Sequence, residues 1–383
     1  MKIAFPAMRA RMGGRTYFAT TMALSEVPKF FRFNDIESMT PELRAQRTLN
    51  ATRVPEISKY ITENEDSYLF SSITCSHSGK LEFISVSNEE PDLGTIRMEL
   101  EDMEFIINDG QHRCAAIAHA IQENPELGSH RISVLLFPME NLERMQQMFS
   151  DLNRHANRSS KSLNILYDHR DPLGSMTREC IERVHIFRDK VDFEKASIPL
   201  RSHKMFTLTS LYDANTELFA RTKIVEEGTQ DYAQQLEQAV AYWTEVTKNM
   251  KDWRLAAEGT IPPAAIRQEK ICTHSVVLRA LGSIGNILLE HYPDEWRQLV
   301  KPLSDIDWRK SVGNKVNPLW NDICISAGSV VSNKQARIAT FNKIIECLGL
   351  DPKKIISIKS GRRGRPKKDD SSIQEDLKGG EHL

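Results

Sequence analysis

Ile106-Ile107-Asn108-Asp109-Gly110-Gln111-His112-Arg113-Cys114-Ala115-Ala116-Ile117 is the stretch that decides how the chain folds. The run Glu104-Phe105-Ile106-Ile107 predicts a short buried strand, and Asn108-Asp109-Gly110 is a turn signal. From Gln111 the apolar residues Cys114, Ile117, Ala118 and Ile121 fall at helical spacing, and Pro125 and Gly128 end the helix near Asn124. Arg131 to Phe137 reads as another buried strand, stopped by Pro138. The central unit is strand, tight turn, helix, strand.

Such a turn has a chemical use. A strand that runs straight into a helix leaves the first amide N–H groups without partners, and the helix dipole adds positive potential there. Gly110 lets an anion approach the backbone closely, and Gln111, His112 and Arg113 stand on the first helical turn. Arg113 can offer a forked pair of donors to phosphate, and His112 can donate a hydrogen bond or move a proton near neutral pH. Asp109 can cap the helix, orient His112 or hold a phosphate-bound metal ion. The alternative is a plain N-cap with His112 and Arg113 as surface residues.

Outward from this turn, Tyr68 to Cys75 and Leu81 to Val86 are rich in aromatic and β-branched residues and flank Ser76 to Lys80, which predicts a hairpin. Thr95 to Leu100 adds a strand, and Asn141 to Leu152 a helix. Further on, Met176 to Asp189, Tyr232 to Met250, His274 to His291 and Gln335 to Leu348 have amphipathic helical patterns. The expected fold is mixed α/β (α+β), with residues 1–200 as the α/β domain, 201–350 as a helical domain and 351–383 as a flexible basic tail.

The composition suits a globular protein: of 383 residues, 40% are hydrophobic and 27% charged, enough for a large core without disulfides. Six cysteines, none in a CxxC pair, read as reduced thiols and not as a zinc site, so no structural metal is expected. The start, Met1-Lys2-Ile3-Ala4-Phe5-Pro6, lacks a secretory pattern, and no run of 18 apolar residues occurs. A cytoplasmic location with no membrane contact is expected. The formal net charge of −1 hides a basic segment, Lys353 to Lys368, that contains no acid. Neither a GxxxxGK[ST] loop nor a GxGxxG turn is present, so any ATP site must use the Asp109 turn.

The string from Ile106 to Ile117 resembles the motif of the DGQHR-domain proteins. The wider chain resembles their DndB branch, the regulators of DNA phosphorothioate modification. Two further strings carry the likeness: Phe149-Ser150-Asp151-Leu152-Asn153-Arg154, and Ser162-Leu163-Asn164-Ile165-Leu166-Tyr167-Asp168-His169-Arg170-Asp171-Pro172-Leu173. The resemblance implies a repressor of the operon for the sulfur-modifying enzymes, bound to promoter DNA under the influence of ATP. The turn is also similar to one in the ParB and sulfiredoxin superfamily, which implies a ParB/sulfiredoxin-like N-terminal domain. In sulfiredoxins that turn carries a catalytic Cys; Gln111 stands in its place here, and Cys114 comes one helical turn later. Phosphate binding is therefore implied, and sulfur chemistry is not. By this reading Asp109, Gly110, Gln111, His112 and Arg113 hold ATP, with Asn153 and Arg154 completing the nucleotide site and Arg158 reaching a DNA phosphate. The need for a divalent metal stays open.

The tail holds Gly361-Arg362-Arg363-Gly364-Arg365-Pro366-Lys367-Lys368, whose core resembles an AT-hook. Gly and Pro keep such a chain thin and extended, so Arg363 and Arg365 can lie in a narrow A·T minor groove, while Arg362, Lys367 and Lys368 meet phosphates. The alternative is a solubilising tail. Asp168-His169-Arg170-Asp171 reads as a charge relay or a surface ion-pair cluster, with the cluster favoured. Arg9, Arg11 and Arg15 around Met12-Gly13-Gly14 read as an ordinary hairpin loop, with phosphate contact as the alternative. His203 and His274 read as isolated. Ser329 to Leu348 is a candidate helix-turn-helix.

Three functions compete on this sequence. The first is a nucleotide-responsive repressor on double-stranded promoter DNA, working as a homo-oligomer because operators are commonly two-fold. The second is a nucleotide hydrolase or nuclease, with Asp109 and His112 catalytic and ATP turned over slowly. The third is an adaptor that gathers other phosphorothioation proteins.

Overall fold

Along β1 (Lys2–Met12) Phe5 and Ala7 are buried while Pro6 and Met8 are exposed, the period of two that sends alternate side chains to opposite sheet faces. The computed structural model describes residues 2–31, 53–154, 159–222 and 224–351, apart from the side chains at 142, 153 and 154. The chain divides into two units, Met1–Asn157 and Arg158–Leu383. The expected boundary at residue 200 lies well inside the second. Ile165, Met176 and Cys180 belong to the second unit's core, and Ser160 and Ser162 donate hydrogen bonds to the carbonyls of Glu194 and Lys195. These contacts make residues 160–183 part of the second unit.

In the first unit, β1 is followed by β2 (Arg15–Ala23), α1 (Val27–Phe30), α2 (Arg53–Thr62), β3 (Ile73–His77), β4 (Glu82–Ser85), β5 (Leu93–Glu99), β6 (Phe105–Asp109), α3 (Gln111–Glu123), β7 (Arg131–Pro138) and α4 (Leu142–Arg154). Among the described residues, seven strands form one mixed sheet in the order β4-β5-β1-β2-β7-β3-β6. The β3–β7 pair is parallel and the others are antiparallel. One face buries Phe5, Met22, Ile73, Cys75, Ile96, Val134 and Leu136 in a core shared with Cys114, Ala116, Ile117 and Ala120 of α3. Helix α2 packs on α3.

The hairpin expected across Ser76 to Lys80 does not form. β3 lies between β7 and β6, and β4 is the opposite edge, paired with β5 through a turn in which the Val86 amide donates to the Leu93 carbonyl. A local turn signal lost to the fully buried surface that β3 gains between β6 and β7. The N-terminal hairpin does form, with Gly13 and Gly14 both in the left-handed region at φ of 57° and 78°. Arg9 pairs with Asp92 and Arg15 with Glu140, so the loop reading holds.

In the second unit the main helices are α5 (Lys161–Tyr167), α6 (Pro172–Arg183), α7 (Leu208–Leu218), α8 (Gln230–Asn249), α9 (Ser275–His291) and α10 (Lys334–Cys347). Gly282 lets α7 and α9 touch, since a Cβ there would collide with the Ala214 carbonyl. The core holds Tyr242, Trp243, Trp253 and Trp320 with almost no exposure. Inside it Asn215 donates to Thr177 Oγ1 at 3.0 Å and accepts from the Trp243 indole at 2.7 Å. The candidate helix-turn-helix at Ser329 to Leu348 is instead a two-residue strand, Ser329–Val330, followed by α10 alone. Asp171 caps α6 by accepting from the Leu173 amide, and Asp168 accepts from the Arg170 amide, so that cluster serves local capping. All six cysteines are free thiols, five of them buried.

Replacing Asn215 by Ala strips partners from a buried indole N–H and a buried hydroxyl, each worth about 1–3 kcal/mol when left unsatisfied. Asn215→Ala should lower the urea midpoint of the transition reported by tryptophan fluorescence. An unchanged midpoint would show that the polar network adds nothing to the core.

Candidate functional site

The turn between β6 and α3 is shaped by a break in the ladder. Thr74 pairs with Asp109 but Cys75 pairs with Ile107, so Asn108 is the extra residue of a bulge. Its buried amide donates to Ser76 Oγ at 2.8 Å and contacts the Met148 sulfur at 3.1 Å, pinning the strand end beneath α4. Gly110 then takes φ of 108° and ψ of 9° as the N-cap of α3, and with no side chain it cannot itself cap the helix. A Cβ at Gly110 would press on the Arg113 guanidinium at 3.2 Å and on Ile73 at 3.3 Å.

Arg113 has a different task from the one its place on the first turn suggested. Its side chain is only 13% exposed, and Nη2 donates to Asp109 Oδ2 at 2.7 Å. Nη1 donates to the Ser71 hydroxyl, to the Ser71 carbonyl at 2.5 Å and to the Ser72 carbonyl at 3.2 Å. The guanidinium therefore ties the segment entering β3 to the end of β6. Asp109 is correspondingly ion-paired, with its carboxylate still 42% exposed.

Beside this knot Gln111 and His112 are both partly exposed. His112 is held below the ordinary histidine value, first by partial burial and then by the Arg53 guanidinium, with Asp109 pulling the other way. Arg53, at the start of α2, thus joins the site, although nothing local in the sequence marks it. The Cys114 thiol is buried on the core side and pushed up to about 12 by burial, so it stays protonated.

Asp109, Gly110, Gln111, His112 and Arg113 are brought together as expected from their adjacency. Asn153 and Arg154 end α4, and their side chains lie outside the described residues, as does Arg158. Arg362, Arg363, Arg365, Lys367 and Lys368 lie outside them too. Among the described residues no group of three or more His, Cys, Asp or Glu could hold a metal ion, and no helix is long and apolar enough to cross a membrane.

Two measurements probe the turn. Gly110→Ala should lower stability by about 1–3 kcal/mol, the usual cost of forcing a side chain into a disfavoured backbone region, and a denaturation midpoint equal to wild type would contradict the geometry. In an NMR titration His112 should lose its proton below pH 6.5, and Arg53→Ala should move the midpoint up. A midpoint that does not move in Arg53→Ala would mean that Arg53 is not beside it.

A family model described as DndB: DNA-sulfur modification-associated matches residues 5–351. No curated protein and no solved structure matches the chain. With most of its length covered by that match, the chain belongs to the DndB family.

Proposed function

We propose, from this membership and from the turn at Gly110, that the chain is a DNA-binding repressor of the operon for DNA sulfur modification, with a nucleotide phosphate regulating its grip on DNA. The observation that carries the reading is a 13-residue helix opened by a left-handed glycine, with the Arg53 guanidinium adding positive charge beside it and His112 standing there as a neutral imidazole. ATP is the nucleotide proposed. The first amides of α3 take its phosphate oxygens, Gln111 and His112 add side-chain hydrogen bonds, and Arg113 keeps the turn in shape instead of touching the ligand. Binding is favoured over hydrolysis because the Asp109 carboxylate is engaged in an ion pair with Arg113 that fixes it within the turn.

DNA contact is assigned to the basic tail, with Arg363 and Arg365 in the minor groove, and to Arg158. Operator two-fold symmetry makes a homo-oligomer the natural form, and other sulfur-modification proteins are the proposed protein partners. The turn is proposed to work as its ParB-like counterparts do, coupling a bound nucleotide to DNA affinity.

A gel shift on DNA upstream of the modification operon tests this. The full chain should retard the fragment, ATP should change the bound fraction, and a chain ending at Lys354 should bind more weakly with a flatter salt dependence. His112→Ala and Arg53→Ala should keep ATP-free DNA binding and lose the response to ATP. No retardation even at low salt would end the DNA reading, and an undiminished ATP response in both variants would end the assignment to the turn.

A further inference from the structure

We propose that a cavity in the second unit, remote in kind from the Gly110 turn, binds a small organic anion with an apolar body. The cavity measures about 470 Å³ and lies between α7, α9 and the first turns of α10. That is within the range of small-ligand sites, roughly 300–1,000 Å³, and far too small for duplex DNA.

Its walls differ in charge. On one side Arg279 bridges Asp213 and Glu217, each at 3.0 Å, while Lys161 reaches Asp213 at 2.7 Å and Ser283 reaches Glu217 at 3.1 Å. Of these charges only Arg279 and Glu217 line the cavity, one of each sign, and that wall is balanced. On the other side Lys334 and Arg337 sit one helical turn apart, and among the described residues neither side chain has an ion-pair or hydrogen-bond partner. Two like charges at this spacing repel, and both lie at the helix end where the dipole disfavours cations. The backbone there is already served, since Asn333 caps α10 by accepting from the Ala336 amide at 2.8 Å. An anion at this place would therefore be held by the two side chains and not by the amides.

Between the walls the lining is apolar. Ala280 and Phe341 are buried, but Ile338 is 53% exposed beside the two cations. A cation pair beside an apolar lining selects a ligand with an acidic head and an apolar or aromatic body. A nucleoside monophosphate and an aromatic carboxylate share that chemistry.

Calorimetric titration of the full chain with AMP, with 1-naphthoate and with inorganic phosphate separates the sources. One of the two organic anions should bind, with phosphate alone at least tenfold weaker. Lys334→Glu and Arg337→Glu, both at the surface and so tolerated by the fold, should each weaken that binding tenfold or more. Lys315→Glu, a charge reversal outside the cavity, should leave it unchanged, which separates the two cavity cations from a change in net charge; the gel shift does not bear on it. The proposal is overturned if neither organic anion binds at millimolar concentration, or if binding survives both charge reversals.

Discussion

The guanidinium of Arg113 is the contact on which the first unit's candidate site rests. It joins the Asp109 carboxylate, the Ser71 hydroxyl and the carbonyls of Ser71 and Ser72, so the end of one strand, the entry to its neighbour and the first turn of a helix meet in one polar knot. A largely buried cation must be paired and hydrogen-bonded to be tolerated, and four acceptors meet that demand. Gly110 is constrained by the same knot, because a side chain there would press on the guanidinium. The left-handed turn and the placement of His112 follow from it.

Much of this was readable in the residues. The strand, turn and helix from Phe105 to Glu123 follow from apolar spacing and the Asp-Gly pair, and three of the four long amphipathic patterns of the second half become helices within two residues of expectation, while the one expected over Met176 to Asp189 is broken at Val184 into Pro172–Arg183 and His185–Arg188. The mixed α/β class was legible for the same reason: each pattern is local. What escaped were pairings set by distant residues. Nothing near Tyr68 announces that β3 runs parallel to β7, some sixty residues later, and the turn formers at Ser76 to Lys80 gave a misleading local signal. Arg53 joined the site, and Arg113 turned inward, through contacts with segments far away in the chain. An arginine on a first helical turn reads the same whether its fork meets phosphate or carbonyls.

The two units solve burial differently. The first uses a sheet covered by α2 and α3 on its core face, and its polar devices gather at one strand end. The second is a helical core that gathers all five tryptophans, in which Asn215 donates to Thr177 and accepts from Trp243 and the Arg279 network lies at the margin. Cysteines in both are held as protonated, buried thiols; Cys114 and Cys180 are each pushed up to about 12 by burial.

The strand order has a bearing on how the chain is made. β7 is the last strand of the sheet to leave the ribosome, yet it lies in the middle, antiparallel to β2 and parallel to β3. Until residue 138 emerges, the sheet can exist only as two fragments, β4-β5-β1-β2 and β3-β6, each with an unpaired edge where β7 will go. Open edges of that kind invite pairing with other chains, and closing long loops is slow. The window between synthesis of Met12 and of Pro138 is therefore the interval in which a nascent chain of this topology is most exposed to mispairing, and shielding by a chaperone would matter most there.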